Sequence, residues 1–197
     1  MDVSVIIVNY NTQGLTSDCI ESIIAQTSTV EYEIILVDNA STDGSKEVFA
    51  QDKRIKYIYS DQNLGFGRAN NLGIREAKGR YLFFLNSDTI LLTNAVKLFF
   101  DFCEQNPDRK IGAVGAVLKD QNQKNIHSYG RFITPGGEIA EVLGKYLRFL
   151  KKRNLLCPAS VQQPTPVDYI TGADLFVPRM ACDDCGDARH LCLHARG

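Results

Sequence analysis

The chain has 197 residues, 44% of them hydrophobic, and a formal net charge of −1. That length suits one domain or one and a half, and the apolar fraction supplies a real core, which excludes a disordered chain. The balanced charge excludes a generic nucleic-acid binder, which needs a basic excess. Of the six cysteines, Cys19, Cys103 and Cys157 are scattered, which argues against a disulfide framework. Residues 1–9 have an acid at Asp2 and no basic leader, and the apolar run Val3 to Val8 is too short for a signal sequence. No stretch reaches the roughly 18 apolar residues of a membrane span, so a cytoplasmic location is expected.

In chain order, Val3 to Val8 is rich in β-branched residues and predicts a strand buried on both faces. Leu15, Cys19, Ile20, Ile23 and Ile24 then recur at helical spacing. Glu33 to Val37 predicts a second strand, Ser41 to Phe49 a short helix, and Ile55 to Tyr59 a third strand. Ala69 to Ala77 predicts a helix stopped by Gly79, and Tyr81 to Leu85 a fourth strand. Ala95 to Cys103 suits a helix and Ile111 to Leu118 another strand. Residues 119–166 are irregular and proline-bearing apart from one helix near 138–153, and Asp168 to Val177 reads as a strand or two around Thr171-Gly172-Ala173.

Repeated strand–helix units imply an α/β fold: a Rossmann-like, mostly parallel sheet with helices on both faces. Ligands on such sheets bind beyond the carboxyl ends of the strands. The residues there are Asn9-Tyr10-Asn11, Asp38-Asn39-Ala40 and Asn86-Ser87-Asp88. Asp38 offers a carboxylate to a base N–H or a ribose hydroxyl, and Asp88 offers a hard oxygen ligand to Mg²⁺ or Mn²⁺ shared with a diphosphate. The same residue types also cap turns and helices, so each signal alone leaves capping open. Asn63-Leu64-Gly65-Phe66-Gly67-Arg68 combines glycines that permit close backbone approach with a cation suited to a diphosphate. It is not a dinucleotide fingerprint, because Asn70 stands where a third glycine is required, and no Walker A pattern occurs.

Taken together, VSVIIVNYN at 3–11, EIILVDNASTDGS at 33–45, NLGFGRANNLGI at 63–74, RYLFFLNSD at 80–88 and YITGADLFVPR at 169–179 resemble the family 2 inverting glycosyltransferases of GT-A fold. The LNSD variant is similar to the rhamnosyltransferase-like subset of bacterial surface-polysaccharide synthesis. The resemblance implies transfer of a sugar from a dTDP-, UDP- or GDP-sugar to a glycan or lipid-linked acceptor. It implies that Asn9 and Tyr10 line the nucleoside pocket and that Asp38 contacts the base, with Asn63, Gly65, Arg68, Asn86, Ser87 and Asp88 completing the donor site. Asp88 would hold the metal alone, since Asn86 replaces a second acid. Gly172, Ala173 and Asp174 would lie on the sugar and acceptor side. On this reading 1–179 is the GT-A domain, with 1–118 its nucleotide-binding part and 119–179 its acceptor-side part.

Inversion needs a general base. The family's acidic motif, preceded by aromatic residues, is expected after the TGA-like segment, whereas 180–197 read MACDDCGDARHLCLHARG. The expectation is a frameshifted or truncated end, a GT-A fold incomplete at its C-terminus, and a chain inactive in transfer. Asp174, Asp183, Asp184 and Asp187 are substitute bases by residue type alone. Cys182, Cys185, His190, Cys192 and His194 form a rival zinc set whose second pair is unusually spaced. Ile139, Val142, Leu143, Tyr146, Leu147 and Leu150 form an apolar helical stripe beside Lys145, Arg148, Lys151, Lys152 and Arg153. That stripe predicts either a helix packed on the sheet or a peripheral contact at the inner face of the membrane. Two other functions stay open: a non-catalytic nucleotide-sugar-binding remnant, and a sugar-phosphate nucleotidyltransferase. The second is disfavoured because no basic residue follows the first strand.

Overall fold

The computed structural model describes residues 1–109, 111–126, 128–130 and 164–183. β1 (Val3–Asn9), α1 (Gln13–Gln26), β2 (Tyr32–Asn39), α2 (Ser45–Phe49), β3 (Lys56–Ser60), α3 (Phe66–Glu76), β4 (Tyr81–Asn86) and α4 (Ala95–Glu104) follow one another as the apolar patterning predicts. After them come β5 (Tyr129–Gly130), β6 (Tyr169–Ile170), β7 (Asp174–Pro178) and α5 (Arg179–Asp183).

The main sheet has the order β3-β2-β1-β4-β7. β1 runs parallel to both β2 and β4, β2 is parallel to β3, and β7 joins β4 antiparallel with Leu85 opposite Asp174. β5 and β6 form a separate antiparallel pair. The fold is therefore the expected mostly parallel α/β sheet.

Strand alternation divides the core. Val3, Val5 and Ile7 of β1 face one side with Cys19, Ile20 and Ile23 of α1, Phe49 of α2, and Val96 and Phe99 of α4. Ile6 faces the other side with Ile35, Val37, Phe84, Leu175 and Ala69 of α3. Helices thus cover both faces, and the strands read as apolar throughout because neither face meets water. α3 sits very close to β1: a Cβ on Gly73 would lie 2.5 Å from Ile6 Cγ2. On the opposite face Phe176 of β7 stacks on Tyr81, with ring centroids 5.1 Å apart, and meets Phe99 of α4 at 5.5 Å.

Two expectations change. The strand expected over 111–118 reduces to a single antiparallel bridge, Val114 to Phe176, closed by two backbone bonds of 2.8 Å. Its ladder stops there because the next donor facing β7, the Ala116 N–H, is taken by the Asp174 carboxylate at 2.5 Å. The helix expected over 41–49 starts at Ser45, because the chain first turns through Ala40 at φ 68° and Gly44 at φ 87°. The amphipathic stripe near 138–153 and the Cys and His positions from Cys185 onward lie outside the described residues. So do Asp184 and Asp187.

Candidate donor-binding site

The carboxyl ends of the four parallel strands open onto a cleft of about 460 Å³. Val8 and Tyr10 reach it from β1, Asn39 from β2, Asn63, Gly65 and Phe66 from the β3–α3 loop, and Asn86, Ser87 and Asp88 from β4. Thr12 and Leu15, at the start of α1, complete the wall. Tyr10 and Phe66 are about half exposed, which leaves two aromatic faces available to a planar ring.

The turn after β1 is built around Asn9, which is fully buried. Its Nδ2 donates to Ser41 Oγ at 3.0 Å and Ser45 Oγ at 2.9 Å. Its Oδ1 accepts from Thr12 Oγ1 and Thr16 Oγ1, both at 2.9 Å. All four hydrogen-bonding positions of the amide are used. Asn9 therefore holds α1 and the β2–α2 turn together and does not line the pocket, a correction to the sequence reading.

Asp38 is likewise closed off, at 0% exposure. Oδ1 accepts from the Ser41 N–H at 3.0 Å and Oδ2 from the Tyr57 hydroxyl at 2.6 Å. Burial, then the Asp38 carboxylate, hold the Tyr57 hydroxyl well above its ordinary pKa, so it stays a donor. Asp38 thus anchors the turn, and the base contact expected of it is not formed by a side chain that faces the cleft.

The adjacent Asn39 does face the cleft. Its Oδ1 accepts from the Leu64 N–H at 2.8 Å and its Nδ2 donates to Asn63 Oδ1 at 2.9 Å. Asn63 Oδ1 also accepts from the Gly65 N–H at 2.9 Å. Gly65 has φ 77°, a conformation that glycine adopts without strain, and the chain enters α3 directly from it. Arg68, on the first turn of α3, is exposed and lies outside the cleft wall.

At the other end, Asp88 stands exposed beside Asn86 and Ser87, whose Oγ lies 3.2 Å from Thr12 Oγ1. Beneath them Cys19 Sγ donates to the Asn86 carbonyl at 3.7 Å. Burial first, and the Asp88 charge second, push its thiol up to about 12, so it is neither a nucleophile nor a soft metal ligand. Among the described residues no group of three or more His, Cys, Asp or Glu is gathered for a metal. Among the described residues the cleft wall thus holds one accessible carboxylate, Asp88, which would suit Mg²⁺ or Mn²⁺ whose remaining ligands are phosphate oxygens and water.

The 172–174 segment reaches this end of the cleft. The Asn86 N–H donates to the Ala173 carbonyl at 3.0 Å. Gly172 lines a small pocket of about 40 Å³ with Phe66, Gly67, Asn70, Asn71, Phe84 and Leu175. Asp174 is 3% exposed, with Oδ1 buried and without a hydrogen-bond partner among the described residues. Burial pushes its carboxyl up to about 7 against the pull of the Ala116 and Asp174 backbone N–H groups. Its side chain belongs to the β7 edge and is not presented to the cleft as a base.

Sequence reasoning missed Thr12 and Leu15, and it named Asn39 and Phe66 only within their strand-end and loop segments, without giving either a role. Phe66 carried a signal, an aromatic residue between two glycines at a strand-to-helix turn. Asn39 was overshadowed by its acidic neighbour.

Comparison with known proteins agrees with the fold. The model of glycosyl transferase family 2 matches residues 4–165. The chain is 36% identical over 132 residues to glycosyltransferase GlyG of Streptococcus pneumoniae serotype 4, covering 64% of this chain and 43% of that protein. It is 36% identical over 112 residues to the poly(ribitol-phosphate) beta-glucosyltransferase of Bacillus spizizenii, covering 54% of this chain and 18% of that one. The chain thus spans less than half the length of either relative. Among solved structures, the mannosyltransferase PcManGT of Pyrobaculum calidifontis, in complex with GDP-Man and Mn²⁺, superposes with a TM-score of 0.61 at 16% identity, covering 94% of this chain and 46% of that one. A doubly covered parallel sheet, a cleft at its carboxyl edge and a family match over most of the length converge, and the chain belongs to glycosyl transferase family 2.

Proposed function

We propose that this chain binds a nucleotide-diphosphate sugar and forms the donor-side part of a transferase that delivers the sugar, with inversion, to a glycan or lipid-linked acceptor in surface-polysaccharide synthesis. One observation carries the reading: a single cleft has aromatic and amide groups at its β2–β3 end and the Asp88 carboxylate at its β4 end. The first set suits a nucleoside, and the second suits a cation shared with a diphosphate. Family membership favours this over the nucleotidyltransferase reading. The poly(ribitol-phosphate) beta-glucosyltransferase and the GDP-Man- and Mn²⁺-bound mannosyltransferase named above support the polysaccharide setting and the donor class. The LNSD sequence keeps the rhamnosyltransferase-like subset as the finer assignment.

Within this reading, Tyr10 and Phe66 flank the nucleoside, Asn39 and Asn63 hold its far end, and Asp88 with the phosphates holds Mg²⁺ or Mn²⁺. The cation supplies charge neutralisation of the departing diphosphate. Gly172 and Ala173 place the sugar side next to β4. A second reading, donor binding without transfer, rests on the sequence of 180–197, whose Cys and His residues stand where aromatic and acidic ones are expected.

The test is calorimetry of UDP, dTDP and GDP with the 197-residue chain, with and without Mn²⁺, in wild type and Asp88→Ala. The reading expects metal-enhanced binding that Asp88→Ala abolishes. Binding indifferent to both metal and substitution would remove the metal role. Transfer of sugar to a defined acceptor, against donor binding alone, separates the two readings.

A further inference from the structure

A line of hydrogen bonds runs from the β2–α2 turn to the cleft, and its polarity is fixed at the outer end. The Asp43 carboxylate can only accept. It takes the Gln13 N–H at 2.9 Å, the Ser45 N–H at 3.2 Å and the Ser45 hydroxyl at 2.5 Å. The single hydrogen of that hydroxyl is thereby spent. Ser45 Oγ therefore meets Asn9 as an acceptor, and the amide turns Nδ2 toward it at 2.9 Å. The Asn11 N–H donates to Ser41 Oγ at 3.0 Å, which accepts the other Nδ2 hydrogen at 3.0 Å. Asn9 Oδ1 then faces α1 and accepts from the Thr12 and Thr16 hydroxyls, both at 2.9 Å. Thr12 has given its one hydrogen to Asn9, so in its 3.2 Å contact with Ser87 it can only accept. Ser87 is the donor of that pair.

The inner end of the line is thus an oxygen whose hydrogen is directed back at α1. Ser87 lines the cleft, and among the described residues Thr12 is the one hydrogen-bond partner of its Oγ. Its remaining lone pairs are left for a ligand. The next residue in the chain is Asp88, exposed and in the same wall. A neutral oxygen with its proton committed elsewhere, beside a carboxylate, suits a hard divalent cation, much as a P-loop hydroxyl meets Mg²⁺. It does not suit a phosphate oxygen, which needs a donor.

We propose that Ser87 is a second, neutral oxygen ligand of the divalent cation held by Asp88, with Thr12 the positioning residue that turns the Ser87 hydrogen away. The inference rests on the donor-site reading above and adds a protein ligand where that reading has Asp88 alone.

The experiment measures the Kd of UDP, dTDP and GDP for the 197-residue chain in EDTA, in Mn²⁺ and in Cd²⁺, and continues with whichever wild type binds tightest. The readout is the factor by which each metal tightens the nucleotide, so thiols elsewhere in the chain that take Cd²⁺ do not enter. Ser87→Ala is expected to cut the Mn²⁺ factor by about tenfold and to leave the Kd in EDTA unchanged. Ser87→Cys exchanges a hard ligand for a soft one, and is expected to raise the ratio of the Cd²⁺ factor to the Mn²⁺ factor by about tenfold over both wild type and Ser87→Ala. Thr12→Val is expected to lose part of the Mn²⁺ factor, and Thr12→Ser, which keeps the hydroxyl, to retain it. A full Mn²⁺ factor in Ser87→Ala, or an unchanged metal ratio in Ser87→Cys, overturns the inference. Equal weakening of the nucleotide by Ser87→Ala in EDTA and in Mn²⁺ also overturns it, and gives Ser87 to the nucleotide itself. A Mn²⁺ factor as low in Thr12→Ser as in Thr12→Val removes the positioning role of Thr12. Wild type that binds no nucleotide, or binds it no tighter with metal, overturns instead the donor-site reading beneath.

Discussion

The Asn86 N–H donates to the Ala173 carbonyl at 3.0 Å, so the end of β4 that carries Ser87 and Asp88 is fastened to the segment leading into β7. Residues almost ninety positions apart thus share one piece of backbone at the mouth of the cleft. A shift in β7 would be felt at Asp88 through this bond and through the Leu85–Asp174 pairing beneath it.

Asp174 makes that edge sensitive to pH. Burial raises its carboxyl to about 7 in the folded chain, against an ordinary 3.8 in the unfolded one. Below the lower value both states are protonated and the group has no effect. As pH rises from about 4 to about 7 the unfolded chain ionises first, so stability falls, and the loss is complete above the folded value. Asp174→Asn is expected to flatten stability against pH over this window and to gain about 2–4 kcal/mol at pH 8 relative to wild type. Urea unfolding from pH 4 to 8 measures this, and parallel curves for the two proteins would refute it.

Asn9 is expected to matter for stability more than for ligand contact. Asn9→Ala leaves the hydroxyls of Ser41, Ser45, Thr12 and Thr16 without their shared partner. The expected cost is about 2–4 kcal/mol in chemical denaturation, since buried groups that lose a partner keep their desolvation penalty. A loss below about 0.5 kcal/mol would show that the four hydroxyls find other partners.

Two glycines on α3 are expected to respond in opposite directions to alanine. At Gly67 a Cβ meets nothing within 4 Å among the described residues, so helix propensity dominates and stability rises by up to about 1 kcal/mol. At Gly73 the Cβ meets Ile6 Cγ2 at 2.5 Å and Val37 Cγ2 at 3.5 Å. Overpacking of about 1–3 kcal/mol then outweighs the same propensity gain. Thermal unfolding of the two variants side by side decides the matter, and a stabilised Gly73→Ala would mean that α3 is free to move off the sheet.

If the basic apolar stripe over 139–153 makes the peripheral membrane contact and does not pack on the sheet, it binds anionic vesicles at low salt, with each basic residue near the surface contributing about 1 kcal/mol. Co-sedimentation lost at high salt, and lost when Lys151, Lys152 and Arg153 are all changed to Gln, is the expected pattern. Among the described residues no helix is long and apolar enough to cross a membrane.

The parallel strands were legible because burial on both faces leaves an uninterrupted apolar run, as in Val3–Val8 and Tyr81–Leu85. Residues 111–118 carry a similar run and form only the Val114–Phe176 bridge. Apolar patterning reports burial, whereas a ladder also needs free donors, and the Ala116 N–H goes to a side chain. At the cleft, the location was legible and the division of labour was not. A polar residue ending a strand looks the same whether it meets a ligand or a turn. For Asn9 and Asp38 the difference is made by Ser41, Ser45 and Tyr57, and only the fold brings them into reach. Asn39 became visible as a cleft residue once its amide was seen to hold the loop that begins α3.

The antiparallel strand β7 has a consequence for synthesis on the ribosome. β4 ends at Asn86 and its outer neighbour begins at Asp174, 88 positions later (174 minus 86). At ~5–20 residues per second, that interval lasts roughly 4–18 s. Throughout it Leu82, Phe83 and Phe84 form the rim of a nascent sheet with unpaired N–H and C=O groups, a template for strand addition by any neighbouring chain. Until Leu175, Phe176 and Val177 emerge and dock, that rim stays open to strand addition.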